Sequence, residues 1–343
     1  MIHVIDNPTH DPRWADLLGR HPCASVFHTP AWLEALRRTY GYEPVAVATS
    51  NGSRIESGLV ACRVRAWGAN RVISLPFSDH CEPLASTPER VELVDGLVRL
   101  ARERGWGPVE LRPRSPIDDG GAGALRAIRT YCLHDLDLGP ELPRLLDGFH
   151  PSSGRRAIRR AEREGITYEH GTSDEQLQAF FELLRMTRRR HGVPPQPIAW
   201  FDNLRDTMGR HLLIHIARRD GRPLAALFML SFRNTLVYKY GGSDASSHPL
   251  GVMPFLFWHA IRTARAAGAT TLDLGRSDLD QHGLIAFKDH LGATRSHLTY
   301  YGESNRSMSH NHTWMRRIAD RVVSAAPDSA LDLAGRLLYR HLG

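Results

Sequence analysis

Apolar and polar residues alternate over short runs in two parts of the chain, and between those runs the apolar positions recur every three or four residues. Ile2–Ile5 reads as a strand, and Pro12–Leu18 and Thr29–Thr39 read as helices. Thr29 is placed to cap the second helix, with Pro30 at its first position and Gly41 just past its end. Runs at Pro44–Ala48, Ile55–Val64 and Arg71–Leu75 predict three successive strands. Pro88–Arg104 predicts a helix on the period of Leu93, Val94, Leu97, Val98 and Leu100, stopped by Gly105. Val109–Leu111 and Tyr131–Leu138 predict strands on either side of a loop at Asp118–Gly123.

Residues 141–164 read as helical and turn strongly basic at SSGRRAIRRAEREG, where Ser152 or Ser153 is expected to cap the helix. The grammar of the first half then repeats. A strand at Ile166–Glu169 precedes helices at Asp174–His191 and Pro197–Met208. Strands at Leu212–Ala217, Pro223–Phe232 and Thr235–Tyr240 lead into a helix at Gly251–Ala267. A strand at Thr271–Leu274, a short helix at Leu284–His290 and a closing strand at Ser296–Tyr301 follow, and a tail over 311–341 reads as two helices joined around Pro327. A unit of about 150 residues is too long for a solenoid repeat and predicts a duplicated domain. The order of helices, three hairpin-linked strands, long helix, strand, short helix and last strand is α+β and is that of the GNAT acyltransferase fold.

The sequence matches that expectation in composition. It has 343 residues, 42% hydrophobic and 24% charged, enough for two ordinary cores. The most apolar segment, Leu250–Ile261, is about half the length of a membrane span and holds Pro254 and His259. The N-terminus lacks a basic start followed by an apolar block, so a cytoplasmic protein without signal peptide is expected. Cys23, Cys62, Cys81 and Cys132 are widely spaced and predict reduced structural thiols rather than a disulfide or zinc framework. The formal charge of +7 favours an anionic partner, although Arg-rich composition alone also produces it.

The segments VFHTPAWLEAL, SLPFSDHCEPL, HPSSGRRAIRRAEREGI, VYKYGGSD and LDLGRSDLDQHGLIAFKDHLGA resemble, in order and spacing, the Fem family of aminoacyltransferases and its GNAT-like relatives. The resemblance runs from about Phe27 to Tyr301. It implies two tandem GNAT-type domains, 1–150 and 151–304, with a helical tail, 305–343, packing on the first. It also implies transfer of an activated acyl group to an amine of a cell-envelope, peptide or small-molecule acceptor, with acyl-CoA or aminoacyl-tRNA as co-substrate. The long helical arm that some members insert in the second domain is missing here. In the family a Phe-Lys pair, here Phe287 and Lys288, lies by the transfer site.

Several residues could carry such chemistry. Lys288 can stabilise the anion of a tetrahedral intermediate, and Arg276, just beyond a strand end, suits a phosphate or carboxylate. In YKYGGSD, strand alternation puts Tyr238 and Tyr240 on one face and Lys239 on the other. Tyr240 is then a candidate acid, with Ser243 and Asp244 near the acceptor. The turn SDASSHPLGVMPF offers only Gly251 between Pro249 and Pro254, which weakens a conventional CoA pyrophosphate cradle. In the first half, Asp79, His80 and Glu82 lie in the loop that follows a strand and precedes a helix and are candidates for catalysis (Asp79) and substrate binding, while Cys81 as a nucleophile is discounted and metal-ligand spacing is lacking. Arg155 and Arg159 stand at helical spacing and predict phosphate binding, tRNA being one candidate partner. No DNA-reading motif occurs. The competing reading is a non-catalytic protein that binds a phosphate-bearing ligand or RNA.

Overall fold

The computed structural model describes residues 2–52, 54–66, 69–117, 125–303 and 327–342. The chain forms two compact units. Unit 1 comprises Met1–Tyr131, Leu298–His312 and Arg336–Gly343, and unit 2 comprises Cys132–His297 and Thr313–Gly335.

Unit 1 opens with β1 (Ile2–Ile5), α1 (Pro12–Arg20) and α2 (Pro30–Tyr40). The Thr29 side chain accepts from the Trp32 amide, and Gly41 closes α2 in the left-handed conformation at φ 69°. β2 (Glu43–Asn51), β3 (Arg54–Ala66) and β4 (Ala69–Ser74) form an antiparallel meander. α3 (Thr87–Glu103) then crosses over, so that β5 (Val109–Leu111) pairs parallel with β4. The core on one face of this sheet packs Leu93, Leu97 and Ala101 of α3 on Val45, Leu59 and Val72. β5 is flanked not by the next strand in sequence but by Tyr301 and Gly302, near the end of the chain.

Unit 2 repeats the plan. β6 (Arg126–Asp137), which enters the unit at Cys132, leads to α4 (Leu142–Gly148), a π-helical turn at Pro151–Arg156 and α5 (Ala157–Arg163). The turn is capped by His150, whose ring accepts from the amides of Ser152 and Ser153, and not by either serine. β7 (Thr167–Gly171), α6 (Asp174–Arg190) and α7 (Ile198–Met208) precede the meander β8 (Leu212–Arg219), β9 (Arg222–Phe232) and β10 (Thr235–Ser243). α8 (Val252–Ala266) crosses over to β11 (Thr271–Ser277), parallel to β10, and β11 pairs antiparallel with β6. α9 (His282–His290) and β12 (Thr294–Gly302) follow. Phe255, Leu256, Phe257 and Ile261 of α8 pack with Ile158 of α5 on one face of the sheet, and Phe180, Phe201 and Phe228 interlock on the other.

The tail is described from residue 327 and contains α10 (Asp328–Leu342). The Tyr339 carbonyl accepts from the Tyr42 hydroxyl at 2.8 Å, and the His341 carbonyl from Arg71 at 2.8 Å, all within unit 1. The expected loop at Asp118–Gly123 and the first tail helix lie outside the described residues. Among the described residues no helix is long and apolar enough to cross a membrane.

Candidate functional site

In unit 2 the parallel ladder between β10 and β11 covers only Thr235–Val237 opposite Thr271–Asp273. β10 runs on to Ser243 and β11 to Ser277. The two strands therefore part at the carboxyl ends, where open α/β sheets place their ligands. Both carry a bulge at the parting.

In β10 the register with β9 shifts between Tyr238 and Tyr240. The extra residue, Lys239, resets the alternation of side chains. Tyr238 consequently meets Phe257 of α8, while Tyr240 meets Phe201 of α7 and Phe228 on the opposite face. The expectation that the two tyrosines share a face is thus corrected. Tyr240 is buried, and its hydroxyl accepts from the Trp200 indole at 2.9 Å.

In β11 the register with β6 shifts between Asp273 and Arg276. Gly275 takes φ 68°, a conformation glycine adopts without a steric penalty, and its amide donates to the buried Asp273 carboxylate at 2.8 Å. Lys288 of α9, only 2% exposed, donates from Nζ to the carbonyls of Gly275 at 2.8 Å and Arg276 at 3.2 Å. The ammonium thus sits beneath the bulge. Its neighbour Phe287 packs on Phe257, and Arg276 itself is half-buried.

Next to Lys288, Asp289 joins three elements. It accepts from Arg295 of β12 at 2.7 Å and lies 3.3 Å from Nε2 of His134 on β6. The Arg295 hydrogen bond holds the Asp289 carboxyl below its usual range. Burial pushes the His134 imidazole down, aided by Lys288, and pushes the Cys132 thiol up. Cys132, Leu279, His282, Ile285, Arg295 and His297 line a cavity of about 460 Å³ at this place. His134, Asp289 and the cavity carry no local sequence signal, because 155 residues separate the two partners.

The end of β10 is a braced turn. Asp244 accepts from the Ser246 amide and hydroxyl and pairs with Arg222 at 2.6 Å, and the Ser246 contacts lead in holding its carboxyl below the usual range. Ser243 bonds His248 at 2.8 Å, and its backbone amide donates to the Thr187 hydroxyl at 2.9 Å. Gly251, at φ 80°, begins α8, and a Cβ there would overlap the carbonyl oxygen of Ala157 in α5. Close packing of α5 therefore occupies the helix start where a phosphate cradle would need open amides. Arg155 is half-buried and paired with Asp147 at 3.0 Å, whereas Arg159 is exposed. The wider π turn takes Arg155 out of the helical row that Arg159 continues.

In unit 1, Glu82 is the hub of a buried polar cluster. Its carboxylate accepts from the amides of Arg114 at 2.7 Å and Ser115 at 2.9 Å and pairs with Arg90 at 2.7 Å. Arg114 also reaches Nε2 of His80 at 3.0 Å. The Asp79 carbonyl accepts from Tyr300 at 2.6 Å. Cys81 lies 3.3 Å from His28, but burial raises the thiol's pKa and pushes the His28 imidazole down to about 4. Neither ionises readily, which suits a structural thiol. Among the described residues no group of three or more His, Cys, Asp or Glu could hold a metal ion.

Comparison with known proteins places this geometry. Residues 152–288 match the acetyltransferase (GNAT) domain family. Over 196 residues the chain is 26% identical to the UDP-N-acetylmuramoylpentapeptide-lysine N(6)-alanyltransferase of Weissella viridescens, covering 55% of this chain and 56% of that protein. The chain thus spans little more than half the length of that relative. A crystal structure of FemX superposes with TM-score 0.70 at 15% identity, over 90% of this chain and 99% of that one. A tandem GNAT protein from the clavulanic acid biosynthesis pathway superposes with TM-score 0.55 at 16% identity, over 88% and 98%. These likenesses establish a tandem GNAT fold.

Proposed function

We propose that the chain, a Fem-type protein with a GNAT acyltransferase domain, moves an aminoacyl group from an aminoacyl ester on tRNA to a primary amine of a peptidoglycan precursor. The observation that carries this reading is the buried Lys288 held under the β11 bulge, at the point where β10 and β11 part. The acceptor amine attacks the ester carbonyl, the carbonyl oxygen becomes an oxyanion, and collapse expels the ribose oxygen with a proton. The donor is already activated, so positioning and oxyanion stabilisation dominate the catalysis required. A fixed cation in a dry site supplies the second, and backbone amides along the parted strand edges supply directed donors.

Tyr240 and Asp244 serve the scaffold in this reading, one in the aromatic core and the other in the turn. The donor choice rests on the α8 start. Gly251 is consumed by the approach of α5, which leaves a poor seat for a CoA pyrophosphate. A non-catalytic binding protein is not favoured, because a bare binding role does not account for a buried lysine at the strand parting.

The test is transfer of labelled alanine from charged tRNA to a lysine-containing UDP-linked muramoyl pentapeptide, with acetyl-CoA as the rival donor. Lys288→Ala should lower kcat by about 100-fold without unfolding the chain. Transfer from acetyl-CoA and none from charged tRNA would refute the donor, and an unchanged kcat would remove Lys288 from the mechanism.

A further inference from the structure

Away from the strand parting, unit 2 gathers four rings on the face shared by β7, β8 and α8. Tyr168 lies 4.8 Å from His259 with the planes 27° apart, 5.5 Å from His170 at 30°, and 6.0 Å from His215 at 23°. His170 is exposed, Tyr168 and His259 are half-buried, and His215 is buried beneath them. Near-parallel rings whose outermost member, His170, is exposed form a platform for another flat ring.

The polar atoms of this cluster are not all satisfied. The Tyr168 hydroxyl bonds Nδ1 of His215 and the Thr263 hydroxyl, both at 2.8 Å. Whichever way those protons run, Nε2 of His215 is left buried with no partner among the described residues. Burial also pushes this imidazole down to about 3, so it remains neutral and its second nitrogen asks for a hydrogen bond rather than a counter-charge.

Positive charge borders the platform. Arg262, one turn along α8 from His259, is exposed, acts on both His259 and Tyr168, and has no carboxylate partner among the described residues. Arg159 of α5, the helix packed against α8, is likewise exposed and without a carboxylate partner among them.

We propose that this face is a nucleotide-binding site. A base stacks on Tyr168, His170 and His259 and brings a polar edge towards His215, and Arg262 takes the attached phosphate, with Arg159 continuing the phosphate track. The same chemistry is presented by the unpaired 3′ end of an RNA and by a free nucleotide such as ATP, UDP or the nucleotide of CoA. The site is independent of the transfer reaction above, whose failure would leave it standing.

The experiment uses the full chain and a fluorescein-labelled single-stranded RNA ending in CCA, read by anisotropy and competed with ATP, UDP and CoA. His259→Ala should weaken binding about tenfold, in line with the loss of one stacking contact. Arg262→Ala should weaken it several-fold and reduce the salt slope by about one. Displacement of the probe by one free nucleotide at much lower concentration than by unlabelled RNA would assign the ligand to the free species and sustain the site. No binding of any probe at millimolar concentration, or binding indifferent to both alanine variants while the melting curves stay native, would overturn it.

Discussion

Acid should destabilise unit 2, and His215 supplies a share of that loss that can be isolated. Burial holds the imidazole of His215 at about 3 in the folded chain, against about 6.5 when unfolded. As pH falls, the unfolded chain therefore binds the proton first. The stability this histidine contributes is complete above pH 6.5 and is lost progressively down to about pH 3. At pH 4.5 the two values give a loss of about 3 kcal/mol, while at pH 7.5 the loss is negligible. The perturbation is His215→Phe, which keeps a ring in the stack and removes the titration. Its packing cost, including the lost bond from Tyr168, is the same at both pH values. The difference between pH 4.5 and pH 7.5 in the urea-derived ΔΔG thus isolates the proton. The variant should gain about 3 kcal/mol on wild type between those conditions. An equal ΔΔG at the two pH values would mean that the folded imidazole titrates as freely as the unfolded one, and the inference of a dry, neutral His215 would fall with it.

Further outcomes follow from the same contacts. Glu82→Ala should cost about 3 kcal/mol or more by leaving two amides and Arg90 without their carboxylate, measured by thermal or urea unfolding. Gly251→Ala should cost about 2 kcal/mol or more, because φ 80° disfavours a Cβ and the Ala157 carbonyl blocks it; a melting curve matching wild type would refute the packing at the α8 start. A disulfide-exchange reagent at pH 8 should titrate Cys23 fast and Cys62, Cys81 and Cys132 only in denaturant, since only the first is exposed.

Much of the fold was legible because it depends on local signals. The periodicity of Pro88–Arg104, the Thr29–Pro30 cap and the glycine stops placed helices within a residue or two of α3 and α2. The repeated order of three hairpin-linked strands, a long helix and a further strand also followed from the pattern alone. What depended on pairing was hidden. A bulge at Lys239 is set by the partner strand, so strict alternation put Tyr238 and Tyr240 together when the structure separates them. His150 replaced the expected serines as cap because its ring, two residues before Ser152, reaches both amides at once. The pairing of β5 with Tyr301 and Gly302, and of β11 with β6, joins segments far apart in sequence and leaves no mark in either.

The same distinction explains why Lys288 stood out and its surroundings did not. Lys288 was marked by the Phe-Lys pair that the Fem resemblance places by the transfer site; its burial, which requires partners for the ammonium, was not legible. The partners here are backbone carbonyls of Gly275 and Arg276, which no residue type announces. Those carbonyls are available only because the β11 bulge turns them out of the ladder, and the bulge is tolerated because residue 275 is glycine and Asp273 takes its amide. The lysine, the glycine and the aspartate therefore act as one device across 16 residues of chain, Asp273 to Lys288. Replacing Gly275 should accordingly impair transfer in the same assay as replacing Lys288, although its side chain offers no chemistry of its own.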